Sequence, residues 1–95
     1  MESERIQLHA QVRGRVQGVG FRMFVLDRAE ALGLTGFVRN APDASVQVVA
    51  QGPRPALETL LAALHAGPPA ARVGAVEAQW GPPAADAPRR FEVRG

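Results

Sequence analysis

Apolar and polar residues alternate strictly from residue 5 to residue 13, near the start of the chain. The apolar positions on one side of an extended backbone are Ile6, Leu8, Ala10 and Val12. Alternation with a period of two is typical of a β-strand that buries one face. A glycine-rich stretch, residues 14–20, follows, and we predict that the strand passes into a loop there.

Beyond this loop, apolar residues recur at intervals of three and four positions. The residues that follow this spacing are Phe21, Val25, Ala29 and Leu32. Such a stripe covers one face of an amphipathic helix, which we predict over residues 22–32. Gly33 is expected to end the helix, because glycine readily adopts the left-handed conformation that follows many helices.

The middle of the chain predicts a β-hairpin. Residues 35–40 form its first strand, and alternation resumes at Val46, Val48 and Ala50. The residues between these strands are turn formers, with proline at the first central position and aspartate beside it, in the order Ala41-Pro42-Asp43-Ala44.

The rest of the chain predicts one more helix and two strands. Pro55 suits the first turn of a helix, whose apolar stripe comprises Leu57, Leu60, Leu61 and Leu64. Residues 71–80 form a strand in which Val73 is out of phase with the later apolar residues, so we expect a bend there. Residues 90–94 form a short last strand.

The order β-α-β-β-α-β, with a short C-terminal strand added, predicts an α+β fold. It is the plan of a ferredoxin-like two-layer sandwich, in which two helices cover one face of an antiparallel sheet. Polar residues at alternate positions of the first and third strands indicate that water reaches the other face. We expect residues 1–95 to form a single domain, because 95 residues are too few for two.

Composition excludes several kinds of chemistry. The chain has no cysteine and only two histidines, so thiol nucleophiles and cysteine- or histidine-rich metal centres are not expected. No apolar run approaches the ~18 residues of a membrane span. The first residues are charged with both signs and lead directly into a strand, so we expect no signal peptide, no membrane partner and a cytoplasmic location.

The isoelectric point of about 11.0 suggests a nucleic-acid-binding protein, but its origin is different. All basic residues are arginine, and the formal net charge is only +2. Little titrates between neutral pH and the arginine pKa, so a small charge raises the isoelectric point. The arginines are also dispersed, whereas a phosphate-backbone footprint requires clustering. We therefore expect no nucleic-acid partner.

The stretch from Val12 to Arg22 carries the strongest chemical signal. Its glycines allow backbone N–H groups to converge, the predicted helix N-terminus adds positive potential, and Arg22 adds a forked donor. This combination indicates an anion site, although a solvated arginine after a glycine-rich connection is the alternative. A Walker A loop is excluded because Phe21-Arg22 follows Gly20, and a dinucleotide fingerprint is excluded because Met23 occupies its third glycine position.

Two segments resemble the signatures of the acylphosphatase family. The first is Gly14-Arg15-Val16-Gln17-Gly18-Val19-Gly20-Phe21-Arg22, and the second is Gly36-Phe37-Val38-Arg39-Asn40, continuing to Val46 and Gly52. Chain length and element order also agree. The family usually has glycine where Ala44 stands. A left-handed alanine costs about 1–2 kcal/mol, so we expect the turn to have changed type.

The resemblance implies hydrolysis of the carboxyl–phosphate bond of an acyl phosphate, which gives a carboxylate and inorganic phosphate. It implies that Arg22 binds the phosphate together with the loop backbone N–H groups, and that Asn40 positions the attacking water. The loop donors belong to Gln17, Gly18, Val19, Gly20 and Phe21. No metal, cofactor or covalent intermediate is implied, and we expect a monomer whose partner is this small substrate. The proton acceptor stays open.

Other residues are predicted to be less involved. The side chains of Arg15, Gln17 and Arg39 either steer anions or are solvated. His9 and His65 are predicted on the surface, and the aromatic residues Phe37, Trp80 and Phe91 in the core or at its rim.

Two other functions are known for small domains of this fold class. One is a non-catalytic or carbamoyl-phosphate-handling anion-binding module of the same fold. The other is an RNA-binding domain, which is disfavoured because the water-facing positions of the first and third strands lack aromatic residues.

Overall fold

The computed structural model describes residues 4–95, which form seven helices and strands. In chain order they are β1 (Arg5–Arg15), α1 (Phe21–Ala31), β2 (Thr35–Asn40), β3 (Val46–Pro53), α2 (Arg54–Ala66), β4 (Arg72–Gly81) and β5 (Phe91–Arg94). The predicted order is confirmed. Gly33 follows α1 with a φ of 69°, as expected for a residue that ends a helix.

The strands form one sheet in the order β4-β1-β3-β2-β5. β1 pairs antiparallel with both β3 and β4, and β2 pairs antiparallel with β3. β5 pairs with β2 in parallel, so the sheet is mostly rather than wholly antiparallel. β4 and β5 lie at opposite edges, and the connection between them crosses the open face, where the Ala84 N–H donates to the Gln51 side chain. The ferredoxin-like two-layer prediction is confirmed.

Both helices pack on one face of the sheet and enclose the core between them and the strands. The inward residues of the strands alternate, and those of the helices follow the predicted stripes, except that Leu32 and Leu61 are only half-buried against the core. The buried set includes Leu8, Ala10, Val12, Phe21, Val25, Ala29, Val38, Val46, Val48, Ala50, Leu57, Leu60, Leu64 and Phe91.

The bend expected at Val73 is a β-bulge. Arg13 lies opposite Ala75 and Gly14 lies opposite Val73, so Gly74 has no partner in β1. Gly14 has a φ of 130°, and a Cβ there would collide with the carbonyl of Arg72. Because glycine permits this close approach, β1 continues to Arg15 instead of passing into the loop at Gly14.

Phe37 does not lie in the core, contrary to the expectation from its aromatic character. Val38 points into the core, so its neighbour Phe37 points to the open face. There it is half-buried, and the guanidinium of Arg94 lies 4.2 Å from the centre of its ring. Trp80 is half-buried at the core rim and Phe91 is buried, as predicted.

The turn between β2 and β3 holds Ala44 in the left-handed conformation. Ala44 has a φ of 75°, so the prediction that alanine would avoid the left-handed conformation is wrong. The Ala44 N–H donates to the carbonyl of Ala41 at 3.1 Å, and the Ala41 N–H donates to Ser45 at 2.8 Å. A type I turn followed by a left-handed residue is a standard way to join two paired strands, and this geometry requires the strain at Ala44.

Candidate active site

The C-terminal ends of β1 and β2 and the N-terminal end of α1 meet at one edge of the helix-covered face. Asn40 is the last residue of β2 and points to this face, as Gly36 and Val38 do, because residues two apart in a strand point the same way. Gly18 and Arg22 lie beside it at the start of α1. Together these segments enclose a cavity of about 110 Å³, lined by Val16, Gly18, Gly20, Phe21, Arg22, Met23 and Asn40.

Residues 16–20, called the glycine loop below, present backbone donors at this cavity. Gly18 and Gly20 have φ angles of 74° and 80°, and Gly20 precedes α1 without a capping side chain. Within residues 4–95, no backbone N–H group from Gln17 to Arg22 donates to a protein acceptor. Consecutive free N–H groups at a helix start form an anion-binding concavity.

Arg22 adds a charge to the same cavity. Arg22 as a whole is half-buried, and its Nη1 donates to the backbone carbonyl of Arg94 in β5 at 3.3 Å. It forms no ion pair with a carboxylate in the described part of the chain. Most of its donors are therefore free for a ligand, and their planar arrangement matches phosphate or carboxylate oxygens.

The structure brings together the residues that the sequence singled out. Arg22, Asn40, Gly18, Gly20 and Phe21 all line the cavity, while Gln17 and Val19 belong to the loop that forms its wall. The roles of these residues in binding and catalysis stay predictions.

The sequence did not decide whether the side chains of Arg15, Gln17 and Arg39 steer anions or are solvated. The structure places these three side chains in different surroundings. Arg15 is exposed at the end of β1 and does not line the cavity. Arg39 points to the open face, where its Nε donates to the Gln47 side chain. Gln17 is half-buried and bonded to the hairpin turn, so it is not simply solvated. His9 and His65 are exposed, as predicted.

Met23 lines the cavity but escaped prediction. It is 55% exposed, which is high for a large apolar side chain. The available signal was weak: an apolar residue in the first turn of α1 that lies off the stripe of Phe21 and Val25. The spacing of apolar residues along a helix identifies those that are buried in the core. It does not identify an apolar residue that faces a cavity.

The hairpin turn beside Asn40 is held by polar contacts. Asp43 accepts hydrogen bonds from the Ser45 hydroxyl and from the Ser45 N–H at 3.1 Å, and it pairs with Arg13 at 3.1 Å. These donors stabilise the carboxylate, first through the Ser45 hydroxyl, and lower the pKa of Asp43 from its usual value. They help to hold the turn that follows β2 in one geometry.

Two other cavities lie on the open face of the sheet. One, of about 240 Å³, includes Arg94, but that guanidinium is paired with Glu92 at 3.0 Å and stacked on Phe37. The other, of about 120 Å³, is lined by His9, Gln11, Glu77 and Gln79. Neither combines a helix N-terminus with an unpaired arginine, so the cavity at Arg22 is the best candidate for an anion.

Residues 4–95 show neither a cluster of metal-binding side chains nor a helix that could span a membrane. No group of three or more His, Cys, Asp or Glu side chains converges within residues 4–95 in a way that would hold a metal ion. In the same range, no helix is long and apolar enough to cross a bilayer.

Comparison with known proteins identifies the family. The acylphosphatase family model matches residues 8–93. An acylphosphatase from Salinibacter ruber is 51% identical over 88 residues, 93% of this chain and 92% of that protein. One from Thermus thermophilus is 56% identical over 75 residues, 79% and 85% of the two chains. The crystal structure of a Bacillus subtilis acylphosphatase has a TM-score of 0.90 at 34% identity and covers 95% of this chain and 99% of that one.

The family model covers both sequence signatures and every residue that lines the cavity at Arg22. The matches place the chain among the hydrolases. The chain belongs to the acylphosphatase family.

Proposed function

We propose that this protein hydrolyses acyl phosphates by direct attack of water on the phosphoryl group, without a metal ion. The reaction converts an acyl phosphate dianion and water into a carboxylate, hydrogen phosphate and a proton. The observation that carries the proposal is the convergence of free loop N–H groups, the unpaired Arg22 and the Asn40 amide on one cavity.

The first task is to bind the phosphoryl group. The N–H groups from Gln17 to Phe21 and the guanidinium of Arg22 are the donors for its oxygens. Loop donors, helix N-terminus and arginine all favour negative charge, and they are held in place before the substrate arrives. Preorganised donors of this kind stabilise the charge that is spread over the phosphoryl oxygens in the transition state.

The second task is to orient the nucleophile. Asn40 has an amide that both donates and accepts hydrogen bonds but cannot take a proton near neutral pH. Its proposed role is to hold one water in line with the bond that breaks. The carboxylate is a good leaving group and needs no strong general acid, so positioning and charge stabilisation supply the catalysis. The water's proton passes to a phosphoryl oxygen or to solvent.

The protein is proposed to act as a monomer in the cytoplasm. Its only required partner is the small substrate.

The decisive experiment measures phosphate release from acetyl phosphate and benzoyl phosphate in excess EDTA. A phosphomonoester, p-nitrophenyl phosphate, serves as the control substrate. We expect rapid, chelator-resistant hydrolysis of both acyl phosphates and little hydrolysis of the monoester. Loss of activity in EDTA that Mg²⁺ or Zn²⁺ restores would overturn the metal-free mechanism. Phosphate binding without hydrolysis would favour the binding-module alternative.

A further inference from the structure

The side chain of Gln17 joins two parts of the site that are distant in sequence. Its Nε2 donates to the carbonyl of Ala41 and to the carbonyl of Ser45, each at 2.9 Å. These two residues close the hairpin turn, since the Ala41 N–H also donates to the Ser45 carbonyl at 2.8 Å. The Gln17 side chain is half-buried, so protein contacts replace much of its hydration.

The two joined parts have different tasks in the proposed reaction. Gln17 belongs to the glycine loop, whose N–H groups are the phosphate donors. Ala41 directly follows Asn40, the residue proposed to hold the water. Residues 16–20 belong to no helix or strand, so side-chain contacts such as this one have to fix the loop against the sheet.

We propose that Gln17 is a positioning residue that fixes the glycine loop relative to Asn40 through the two hydrogen bonds of its side-chain amide. The inference rests on the proposed function, because it concerns the alignment of water with the bound phosphoryl group. A displacement of about 1 Å between reacting groups can cost about 10²-fold in rate. The role requires an N–H donor, because both partners are carbonyl oxygens.

The test compares Gln17→Met and Gln17→Glu with a matched control. Methionine keeps the length of the side chain but makes no strong hydrogen bond, and glutamate keeps the shape but presents a carboxylate to two carbonyls. The control is Gln11→Met. Gln11 donates to the same turn, at the Ser45 hydroxyl (3.0 Å) and Asp43 (3.2 Å), but it reaches the turn from β1 and makes no hydrogen bond to the glycine loop.

We expect kcat for acetyl phosphate to fall by about 10- to 100-fold in both Gln17 variants. The Gln11→Met variant is expected to keep kcat within about twofold, although its turn has lost comparable contacts. Thermal unfolding and circular dichroism are the checks that all three variants are folded at the assay temperature.

A double-mutant cycle separates positioning from general loosening of the site. If Gln17 acts by aligning the glycine loop with the water held by Asn40, then Gln17→Met should reduce kcat little further in an Asn40→Ala background. If it merely supports the loop as a phosphate-binding element, the two losses should multiply, and the inhibition constant of inorganic phosphate should rise with them.

The outcomes are distinct from a failure of the proposed function. A wild-type protein that does not hydrolyse acyl phosphates overturns the function and this inference together. An active wild type overturns the inference alone if Gln17→Met matches Gln11→Met, or if the losses of Gln17→Met and Asn40→Ala multiply.

Discussion

The two helices of this protein begin in ways that look alike in sequence. α1 and α2 both lack a capping side chain and both lack an acidic residue in the first turn. Each also has an arginine at its start, Arg22 in α1 and Arg54 in α2. A positive charge at a helix N-terminus is unfavourable with respect to the helix dipole, so both positions call for an explanation.

The surroundings of the two arginines are different. Arg54 stacks 4.2 Å above the ring of Trp80 and lies 3.7 Å from the carboxylate of Glu58. Pro53 precedes it and Pro55 follows, and neither has a backbone N–H. α2 thus begins with few free donors and an arginine that already has partners.

The start of α1 is the reverse case. Two left-handed glycines expose a series of N–H groups, and Arg22 contacts one backbone carbonyl and no carboxylate in the described part of the chain. The comparison teaches that an arginine at a helix start does not by itself indicate an anion site. The useful signal is an arginine whose charge the fold leaves unpaired, beside donors that the fold leaves unused.

The strongest test of this comparison is the same substitution at both helix starts. Arg22→Lys keeps the charge but loses the planar pair of donors, and we expect kcat/KM for acetyl phosphate to fall by about 10²–10³-fold. Arg54→Lys should keep wild-type kinetics and lose at most about 1 kcal/mol of unfolding free energy, because it weakens an exposed cation–π contact. Steady-state kinetics and thermal unfolding decide the matter. Equal kinetic effects at the two positions would contradict the distinction.

Substitutions of Asn40 test whether phosphate binding and the positioning of the attacking water depend on different residues. Asn40→Ala should lower kcat by about 10²-fold while phosphate inhibits with a similar constant, because the loop and Arg22 stay in place. Asn40→Asp should also be poor and should bind phosphate more weakly, since it adds a negative charge beside the anion. A variant whose main defect was phosphate affinity would show that Asn40 is a ligand of phosphate and not the holder of water.

Much of the fold was predictable because most of its helices and strands show one clear spacing of apolar residues. The alternation at Leu8 and Ala10 and the stripe at Leu57 and Leu60 each have one packing solution that buries the apolar set. The location of the candidate site was predictable because its proposed donors are consecutive in the sequence, from Gln17 to Arg22, and because both signatures resemble a known family.

The features that escaped prediction depend on contacts between distant residues. Phe37 lies on the open face because its neighbour Val38 is the one that the helices cover, and an aromatic side chain alone does not reveal which face it takes. The parallel pairing of β5 depends on the path of a long connection. For the Gln17 side chain, the sequence suggested only anion steering or solvation. Its true partners, the carbonyls of Ala41 and Ser45, lie more than twenty positions away in the chain and could not be inferred.

Phosphate binding can be used to compare Arg22 with Arg54 without measuring turnover. A ligand that binds only the folded protein stabilises it by about 1.4 kcal/mol at ten times its dissociation constant. Inorganic phosphate should therefore raise the Tm of the wild type and of Arg54→Lys. The increase should be lost in Arg22→Ala at the same concentration. Sulfate, which is similar in shape, is a useful second anion, and sodium chloride at matched ionic strength controls for screening.

Ala44, the left-handed alanine of the hairpin turn, carries backbone strain. It therefore allows a test of whether strain, like the unpaired charge of Arg22, serves the active site. Ala44, with its φ of 75°, lies in the turn that connects the strand of Asn40 to β3. Ala44→Gly removes a conformational cost of about 1–2 kcal/mol and adds an unfolded-state entropy of about 0.5–1 kcal/mol. We expect a net gain of about 0.5–1 kcal/mol in unfolding free energy, by thermal or urea denaturation, with kcat unchanged. The matched control, Ala62→Gly on the exposed side of α2, should lose about 1 kcal/mol instead. If Ala44→Gly were more stable but slower, the strain would belong to the active site, because relaxing the turn would then have moved Asn40.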